Sequence, residues 1–374
     1  MLIVLWECGN CAALFFFVLL KQLEKKERIA MGYQYTTGKV AASVTFLEPD
    51  LREELKKKAE DMGYAIRFID RHLMDRDEIS VREKEEQLEW LRDSEIILTS
   101  RGRFVDQTSQ NLRWAADTYA GIDVYFPRED GSSIMPHSGV MLTNSSGAYG
   151  PTISEHIIMV LLMLWRRQWD YNRCQQEHSW GPRVEMKSIM GSDFVVLGTG
   201  NIGTTFAKKA KALGAGRIMG VSRSGKERCP GVYDEMHTFR ELKDVIGQGD
   251  AVVMSLPGTE ETAGMVDSTI LSAMKDSAVL VNVGRGSSVV QKDLVEALEK
   301  GRIWGAALDV MENEPLPEDD PLWTMKNCIV TPHVAGNMTL RYTRELIIGQ
   351  FCRNLDHYRK GEKLDHLIDL GLGY

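Results

Sequence analysis

Three segments in the last third of the chain carry side chains that could together move a hydride to or from a carbonyl. Residues 281–286 (Val-Asn-Val-Gly-Arg-Gly) place Arg285 in a glycine-flanked turn. There its forked guanidinium can bind a carboxylate through two hydrogen bonds and polarise a carbonyl. Glu314 lies in an acidic stretch, and His333 lies in residues 331–336. Hydride transfer to a carbonyl leaves an alkoxide that needs a proton, which histidine can supply near pH 7. A carboxylate hydrogen-bonded to the other ring nitrogen of the histidine would keep a proton on that nitrogen and so fix the tautomer.

Each of these residues alone also fits a structural role. A histidine after a strand often only hydrogen-bonds its neighbours, and a glycine-flanked arginine often braces the backbone. Their order in the chain and their context decide between the two interpretations.

A glycine-rich turn earlier in the chain has the pattern of a dinucleotide site. The six residues from Gly198 to Gly203 (Gly-Thr-Gly-Asn-Ile-Gly) follow the strand-like run Phe194–Leu197 and open a helix-like stretch. In that context the first glycine can make a tight turn, the second can admit a pyrophosphate, and the third can let helix and strand pack closely. N–H groups at the helix start would face the diphosphate. The alternative is a glycine-rich turn without a ligand. The predicted contacts are Gly198, Gly200, Asn201, Ile202 and Gly203.

The end of the next predicted strand bears on the choice between NADP(H) and NAD(H). It reads Val221-Ser222-Arg223-Ser224, where a site selective for NAD(H) would carry an acidic residue on the ribose hydroxyls. Ser222 can instead donate a hydrogen bond to a 2′-phosphate, and Arg223 can pair with it bidentately. We therefore predict that the site, including Ser224, favours NADP(H) over NAD(H). The alternative is that Arg223 is a solvated loop arginine beside a permissive adenosine site.

Alternating strand-like and helix-like segments must position these residues. Strands are predicted at residues 39–47, 65–69, 96–99, 141–144, 194–197, 217–221, 251–256, 278–283, 305–309 and 329–331. A charged helix is predicted to end at residue 62, and further helices cover 152–165, 202–213, 239–246, 292–299 and 340–358. The segment 75–92 is too polar for a buried element and is predicted to be an exposed helix or loop. Such alternation implies parallel sheets covered on both faces.

We therefore predict an α/β protein with two Rossmann-like domains, doubly wound parallel sheets and a cleft between them. The substrate-binding domain is predicted at residues 38–143, completed by 337–374, and the dinucleotide-binding domain at 144–336. The hinge between them is placed at residues 147–151, before a long apolar helix.

Composition excludes several classes of partner and site. The 374 residues carry a formal net charge of -8, and the basic residues are scattered, which argues against a nucleic-acid partner. Six cysteines in so long a chain do not form a disulfide framework, which favours the cytoplasm. Cys8 and Cys11 have CxxC spacing, but a lone pair is weak evidence, and no metal site is predicted.

The first 37 residues are predicted to lie outside the fold. Residues 1–20 are mostly apolar and a charged run follows at 21–28. We favour an extension upstream of a functional start near Met31. A membrane anchor is the second interpretation, although Glu7, Gly9 and Asn10 interrupt the apolar run. A secretory signal is the third, although the positive charge follows the apolar run.

The order of the motifs resembles that of the D-isomer-specific 2-hydroxyacid dehydrogenase family, from about Leu98 to Gly336. The matching segments are 143–156, 198–203, 256–262, 281–286, 305–310, 314–317 and 331–336. The resemblance implies that Arg285 binds the substrate carboxylate and carbonyl, that Glu314 pairs with His333, and that His333 donates the proton in reduction. It also implies a homodimer formed through the cofactor domain. Arg285 and His333 would border the cofactor as well, and the further implied contacts are Leu256, Pro257, Thr262, Val283, Gly284, Asp309 and Gly336.

Substrate contacts from the first domain are also implied. Ala120 and Gly121 resemble the family's backbone contact to the substrate carboxylate, and Arg101 could add a charge there or be an exposed loop arginine. Two residues depart from the family's pattern: Gly284, where alanine or serine is commoner, and Gln291, where an acid is usual. The Ser222-Arg223 pair resembles the glyoxylate/hydroxypyruvate reductase branch, which implies small keto acids and NADPH.

Two other functions fit the same motifs. Transcriptional corepressors of the same fold retain the triad, so a nucleotide-sensing interaction protein is one alternative. An NAD-linked phosphoglycerate or lactate dehydrogenase is another, and the missing acid at Ser222 disfavours it.

Overall fold

The computed structural model describes residues 37–44, 46–70, 72–74, 79–126 and 132–369. The extension, anchor and signal interpretations of the first residues concern positions outside these ranges. Two parallel sheets, of five and seven strands, form the framework. In the described ranges, no helix has both the length and the apolar character needed to cross a membrane.

The first sheet has the strand order β2-β1-β3-β4-β5. Its parallel strands are β1 (Lys39–Ala42), β2 (Ala65–Phe68), β3 (Ile96–Thr99), β4 (Trp114–Asp117) and β5 (Met141–Thr143). Val40 faces helix α1 (Pro49–Asp61), whereas its neighbour Ala41 faces the opposite side with Leu91 of helix α2 (Val81–Asp93). Both faces are therefore covered, which makes the sheet doubly wound.

The second sheet has the strand order β12-β11-β10-β9-β6-β7-β8, again all parallel. Its strands are β6 (Phe194–Leu197), β7 (Ile218–Ser222), β8 (Glu235–Thr238), β9 (Ala251–Met254), β10 (Val279–Asn282), β11 (Gly305–Leu308) and β12 (Cys328–Val330). The order reverses between β6 and β9. In open α/β sheets, ligands bind outside the carboxyl ends of the strands at such a reversal.

The remaining helices are α3 (Gly150–Trp165), α4 (Gln168–Gln176), α5 (Asn201–Ala212), α6 (Leu242–Ile246), α7 (Ser268–Ala273), α8 (Gln291–Glu299) and α9 (Arg341–Lys360). Helix α3 packs in the core of the second sheet. Helix α9, near the end of the chain, packs on the first sheet, where its Phe351 contacts the ring of Trp114 and the Tyr358 hydroxyl donates to Glu95 at 2.6 Å.

The predicted fold class is confirmed, but several elements differ from the prediction. Strands β4 and β8 and helices α4 and α7 were not predicted. Strand β8 is an edge strand of mixed polarity, paired only with β7, and helix α4 buries none of its residues, so neither has a clear hydrophobic period. The predicted strand 39–47 ends at Ala42, because a turn follows in which Leu47 N–H donates to Val44 O at 3.2 Å.

Candidate active site

A cavity of about 1220 Å³ opens between the two sheets and brings the predicted catalytic and substrate residues together. Arg101, Ala120 and Gly121 line it from the side of the first sheet. The side of the second sheet contributes Arg285, Glu314 and His333, with Ile202, Val283, Asp309 and Gly336. The other predicted cofactor residues do not line it: Gly198, Gly200, Asn201, Gly203, Ser222, Arg223, Ser224, Leu256, Pro257, Thr262 and Gly284.

His333 and Glu314 form a hydrogen-bonded pair at the edge of this cavity. Nδ1 of His333 lies 2.7 Å from Oε2 of Glu314. The second carboxylate oxygen, Oε1, accepts the backbone N–H of Met311 at 3.1 Å, which fixes the carboxylate from behind. A carboxylate on Nδ1 keeps a proton on that nitrogen, so Nε2 is the ring atom left to exchange a proton with a bound molecule.

The loop that carries His333 is held by the buried side chain of Asp309. Its carboxylate accepts the backbone N–H groups of Val334 and Ala335, both at 2.9 Å, and the Thr331 hydroxyl at 2.6 Å. His333 itself has a left-handed backbone conformation, with φ 52°, and its N–H donates to Asp309 O at 2.9 Å. Such a conformation is uncommon outside glycine and costs about 1–3 kcal/mol, which the bonds to Asp309 offset.

Behind this loop, the imidazole Nε2 of His156 lies 3.3 Å from the Thr331 hydroxyl. Burial lowers the pKa of His156 below its usual value, against the opposing charge of Asp309. The lowered pKa favours the neutral form of this imidazole behind the His333 loop.

Arg285 follows β10 in a turn that Asn282 fastens. The Asn282 side chain accepts the N–H of Gly284 and donates to Arg285 O, each at 3.0 Å. Asn282 is 1% exposed, and both bonds lie within one short segment, so the turn is rigid before any ligand binds.

Both departures from the family's pattern have a structural reason. A Cβ at Gly284 would lie 2.6 Å from Leu256 O, so the turn leaves no room for alanine or serine. Gln291 donates to the Asp320 carboxylate at 2.8 Å and accepts the Glu312 N–H at 3.1 Å. An acid at this position could not donate the first of these bonds.

The guanidinium of Arg285 reaches across the cavity to Asp123, a residue that the sequence did not single out. Nη2 lies 2.8 Å from Oδ2 of Asp123, and Nη1 donates to Gly284 O at 2.9 Å. Burial opposes ionisation of Asp123, but the hydrogen bond and charge of Arg285 outweigh it and lower the pKa of the carboxyl. The available signal was position, since Asp123 follows Gly121 by two residues.

A second unpredicted carboxylate, Asp117, joins the two loops on the side of the first sheet. Its oxygens accept the N–H groups of Arg101 at 3.2 Å, Gly102 at 3.0 Å and Tyr119 at 2.8 Å, and the hydroxyl of Tyr125 at 2.6 Å. Burial raises the pKa of Asp117, although these hydrogen bonds oppose the rise. The guanidinium of Arg101, centred 4.8 Å from the Tyr119 ring centre, is therefore held on a fixed loop.

The turn from Gly198 to Gly203 has the local geometry that a diphosphate requires. Gly198 has φ 94°, which favours glycine, and a Cβ at Gly203 would collide with Gly198 O. A Cβ at Gly200 would meet nothing within 4 Å, so this backbone is open to approach. Helix α5 begins at Asn201 directly behind it, with its N–H groups free for an anion. These residues fit the phosphates of a dinucleotide.

The end of β7 offers polar groups where the adenosine ribose would lie. The Ser222 hydroxyl is buried and has no hydrogen-bond partner among the described residues. Arg223 Nε lies 2.6 Å from Oε2 of Glu261, which the sequence did not single out although it lies within the motif 256–262. The Ser224 hydroxyl accepts the Lys226 N–H at 3.3 Å. The arginine is thus on the expected strand end but is paired with a carboxylate.

The segment after β9 closes the other side of the dinucleotide turn. The buried hydroxyl of Thr262 donates to Pro257 O at 2.6 Å, the Ser255 hydroxyl donates to Gly198 O at 2.9 Å, and Leu256 and Val283 are also buried. No group of three or more potential metal ligands occurs among the described residues.

Comparisons with known proteins place these features in a family. The family model described as D-isomer specific 2-hydroxyacid dehydrogenase, NAD binding domain, matches residues 158–335. A glyoxylate reductase of Korarchaeum cryptofilum is 32% identical over 239 residues, which cover 62% of this chain and 70% of the relative. A hydroxypyruvate reductase of Blautia hydrogenotrophica is 27% identical over 302 residues, which cover 77% and 89%.

A solved structure gives the same result. The D-isomer specific 2-hydroxyacid dehydrogenase of Xanthobacter autotrophicus Py2, in complex with NADPH and MES, is 25% identical and superposes with a TM-score of 0.70. The superposition covers 90% of this chain and 99% of the solved one.

Proposed function

Because the chain belongs to the D-isomer specific 2-hydroxyacid dehydrogenase family, whose members are NAD(P)-dependent oxidoreductases, we propose that it reduces a small 2-keto acid of the glyoxylate or hydroxypyruvate type. One observation carries the proposal: the His333–Glu314 pair faces the same cavity as Arg285. That cavity thus holds a proton donor and a carboxylate clamp, which the reduction of a keto acid requires.

Each of the three residues has a separate task in the proposed reaction. A bound nicotinamide supplies the hydride in reduction and accepts it in oxidation. Arg285 binds the substrate carboxylate and polarises the carbonyl. His333 gives a proton from Nε2 to the oxygen that becomes the hydroxyl, and takes it back in oxidation. Glu314 holds the tautomer and stabilises the imidazolium.

The first-sheet side of the cleft completes the substrate site in this proposal. Backbone groups of Ala120 and Gly121 bind the substrate carboxylate, and Arg101 adds positive charge. Support comes from the Asn144 side chain, which donates to Ala120 O at 2.7 Å and fixes this segment. We place the substrate domain at residues 38–143 with 337–374 and the cofactor domain at 144–336, because helix α9 packs on the first sheet.

We propose NADP(H) as the favoured cofactor. The Ser222 hydroxyl, without a partner among the described residues, and the cation of Arg223 suit a 2′-phosphate, and β7 ends without an acidic residue. The relative from Xanthobacter was solved with NADPH. The Arg223–Glu261 pair moderates this preference, because a 2′-phosphate must compete with Glu261 for the guanidinium.

We also propose a homodimer formed through the cofactor domain. Apolar side chains are exposed on and after helix α4: Trp180 fully, Met190 largely and Trp169 about half. Clusters of exposed aromatic and methionine side chains mark protein interfaces. Sedimentation velocity tests the proposal, with a monomer at micromolar concentration as the contrary result.

A reducing compartment such as the cytoplasm is our proposal for the location. The four described cysteines, Cys174, Cys229, Cys328 and Cys352, are free thiols.

The decisive assay follows absorbance of NADPH and NADH with glyoxylate, hydroxypyruvate, pyruvate and phenylpyruvate. We expect turnover of at least one small keto acid, faster with NADPH, and its loss in His333→Ala. If no keto acid is turned over, or if the variant equals the wild type, the enzymatic proposal fails, and a nucleotide-sensing role becomes the better interpretation.

A further inference from the structure

The ion pair between Asp123 and Arg285 spans the cleft between the two sheets. Asp123 opens the short 3-10 helix Asp123–Tyr125 on the side of the first sheet, whereas Arg285 follows β10 of the second. Their side chains meet over Gly121, where a Cβ would collide with the guanidinium. Glycine at this position therefore lets the guanidinium come close to the backbone of the opposite wall.

The contacts of Arg285 divide its donors into two sets. Asp123 lies along the side of the guanidinium formed by Nε and Nη2, with Oδ2 2.8 Å from Nη2 and Oδ1 3.5 Å from Nε. Gly284 O accepts one N–H of Nη1 at 2.9 Å. A guanidinium has five N–H groups, so one remains on each terminal nitrogen. A keto acid can take this pair at the end of the fork, with one carboxylate oxygen and the carbonyl oxygen, while Asp123 stays at its side.

We propose that Asp123 is a positioning residue that holds the Arg285 guanidinium from the opposite wall, so that the end of the fork presents two N–H groups to the substrate, one to a carboxylate oxygen and one to the carbonyl oxygen. The inference rests on the role proposed above for Arg285. Arginine side chains have several rotatable bonds, and fixing one before binding removes the entropic cost of ordering that side chain from the binding step.

The cross-cleft contact has a consequence for the site as a whole. Arg285 has both of its partners only while the two walls are together, because Gly284 O lies on its own wall and the carboxylate of Asp123 belongs to the other. Loss of Asp123 should therefore act on substrate affinity and, more weakly, on turnover, and leave the cofactor site unchanged.

The test compares Asp123→Ala, Asp123→Asn and the control Asp106→Ala in the full chain. Asp106 is an exposed residue of a similar 3-10 helix on the same side, and it does not line the cavity. The measurements are kcat and KM for the best keto acid, the Kd of oxamate for the protein with NADPH, the Kd of NADPH, and Tm.

For Asp123→Ala we expect KM and the oxamate Kd to rise about tenfold and kcat to fall a few-fold, with the NADPH Kd unchanged. Asp123→Asn keeps an acceptor for Arg285 and should recover most of kcat. Asp106→Ala should equal the wild type.

Two results would overturn the inference. A KM for Asp123→Ala within twofold of the wild type would show that Arg285 needs no partner across the cleft. A lower KM would show that Asp123 competes with the substrate carboxylate. Either result requires an active wild type, so both differ from failure of the proposed function, in which no variant turns over a keto acid.

Discussion

The cofactor site and the substrate site are built in different ways. At the cofactor site, the turn from Gly198 to Gly203 offers backbone N–H groups of consecutive residues, and its shape follows from three glycines. The proposed substrate site instead depends on side chains brought from both walls of the cleft, as in the Arg285–Asp123 pair, which joins residues 162 positions apart. A local site of the first kind can be recognised from sequence, whereas one of the second kind depends on how the two sheets pack.

The comparison predicts that the largest loss comes from a side chain whose chemistry no backbone group can replace. In His333→Ala we expect kcat to fall about 10³-fold, because the proton donor is lost. The Kd of NADPH should change much less than kcat, since the turn from Gly198 to Gly203 is independent of this side chain. Steady-state kinetics and NADPH titration followed by fluorescence measure the two effects. A loss of cofactor affinity as large as the loss of kcat would show that His333 acts mainly by holding the cofactor.

Glu314→Gln tests the second member of the pair. Glutamine keeps an acceptor for the His333 ring but removes the negative charge that favours the imidazolium. We expect kcat for reduction to fall about thirtyfold, because the ring is still oriented but its charged form is no longer stabilised. Steady-state kinetics of Glu314→Gln and Glu314→Ala provide the measurement. A kcat for Glu314→Gln equal to that of the wild type would mean that Glu314 only orients the ring.

Two glycine variants separate folding from binding on the cofactor side. Gly203→Ala places a methyl group against Gly198 O, so it should lower the free energy of unfolding by about 2 kcal/mol. Gly200→Ala meets nothing within 4 Å and should leave stability unchanged while weakening NADPH binding about tenfold. Thermal unfolding and cofactor titration check both. An equal fall in Tm for Gly203→Ala and Gly200→Ala would contradict the separation of a folding effect at Gly203 from a binding effect at Gly200.

The smallest expected effect concerns cofactor choice at Arg223. Glu261→Gln should raise the ratio of kcat/KM for NADPH over NADH about threefold, because a 2′-phosphate no longer competes with the Glu261 carboxylate for Arg223. Arg223→Gln should lower the ratio about tenfold. Glu260→Gln is the matched control, an exposed residue with the same change of charge one position away. If Glu260→Gln changes the NADPH/NADH ratio of kcat/KM as much as Glu261→Gln does, the effect comes from the loss of a negative charge in this region and not from the contact with Arg223.

Much of the cofactor wall was predictable because its signals are local. The apolar run of β6, the glycine turn and the start of helix α5 are adjacent in the chain, and their backbone conformations depend mainly on neighbouring residues. The same holds for the turns after β10 and β12, which contain Arg285 and His333. The family and the fold class, both predicted from these motifs, are confirmed.

Other features had no such signal. Strand β8 has no apolar period because it is a sheet edge, and helix α4 has none because it buries no residue. Asp117 and Glu261 are single carboxylates whose partners lie on other loops.

The sequence by itself therefore determined the chemical groups and the backbone turns that carry them. Arg285, Glu314 and His333 remain predicted in role, and the structure brings them to one cavity. Only the tertiary structure decided that Arg285 meets Asp123 and that Arg223 meets Glu261. The physical reason is that an ion pair requires an approach of about 3 Å, and packing of the sheets and helices sets that distance between loops far apart in the chain.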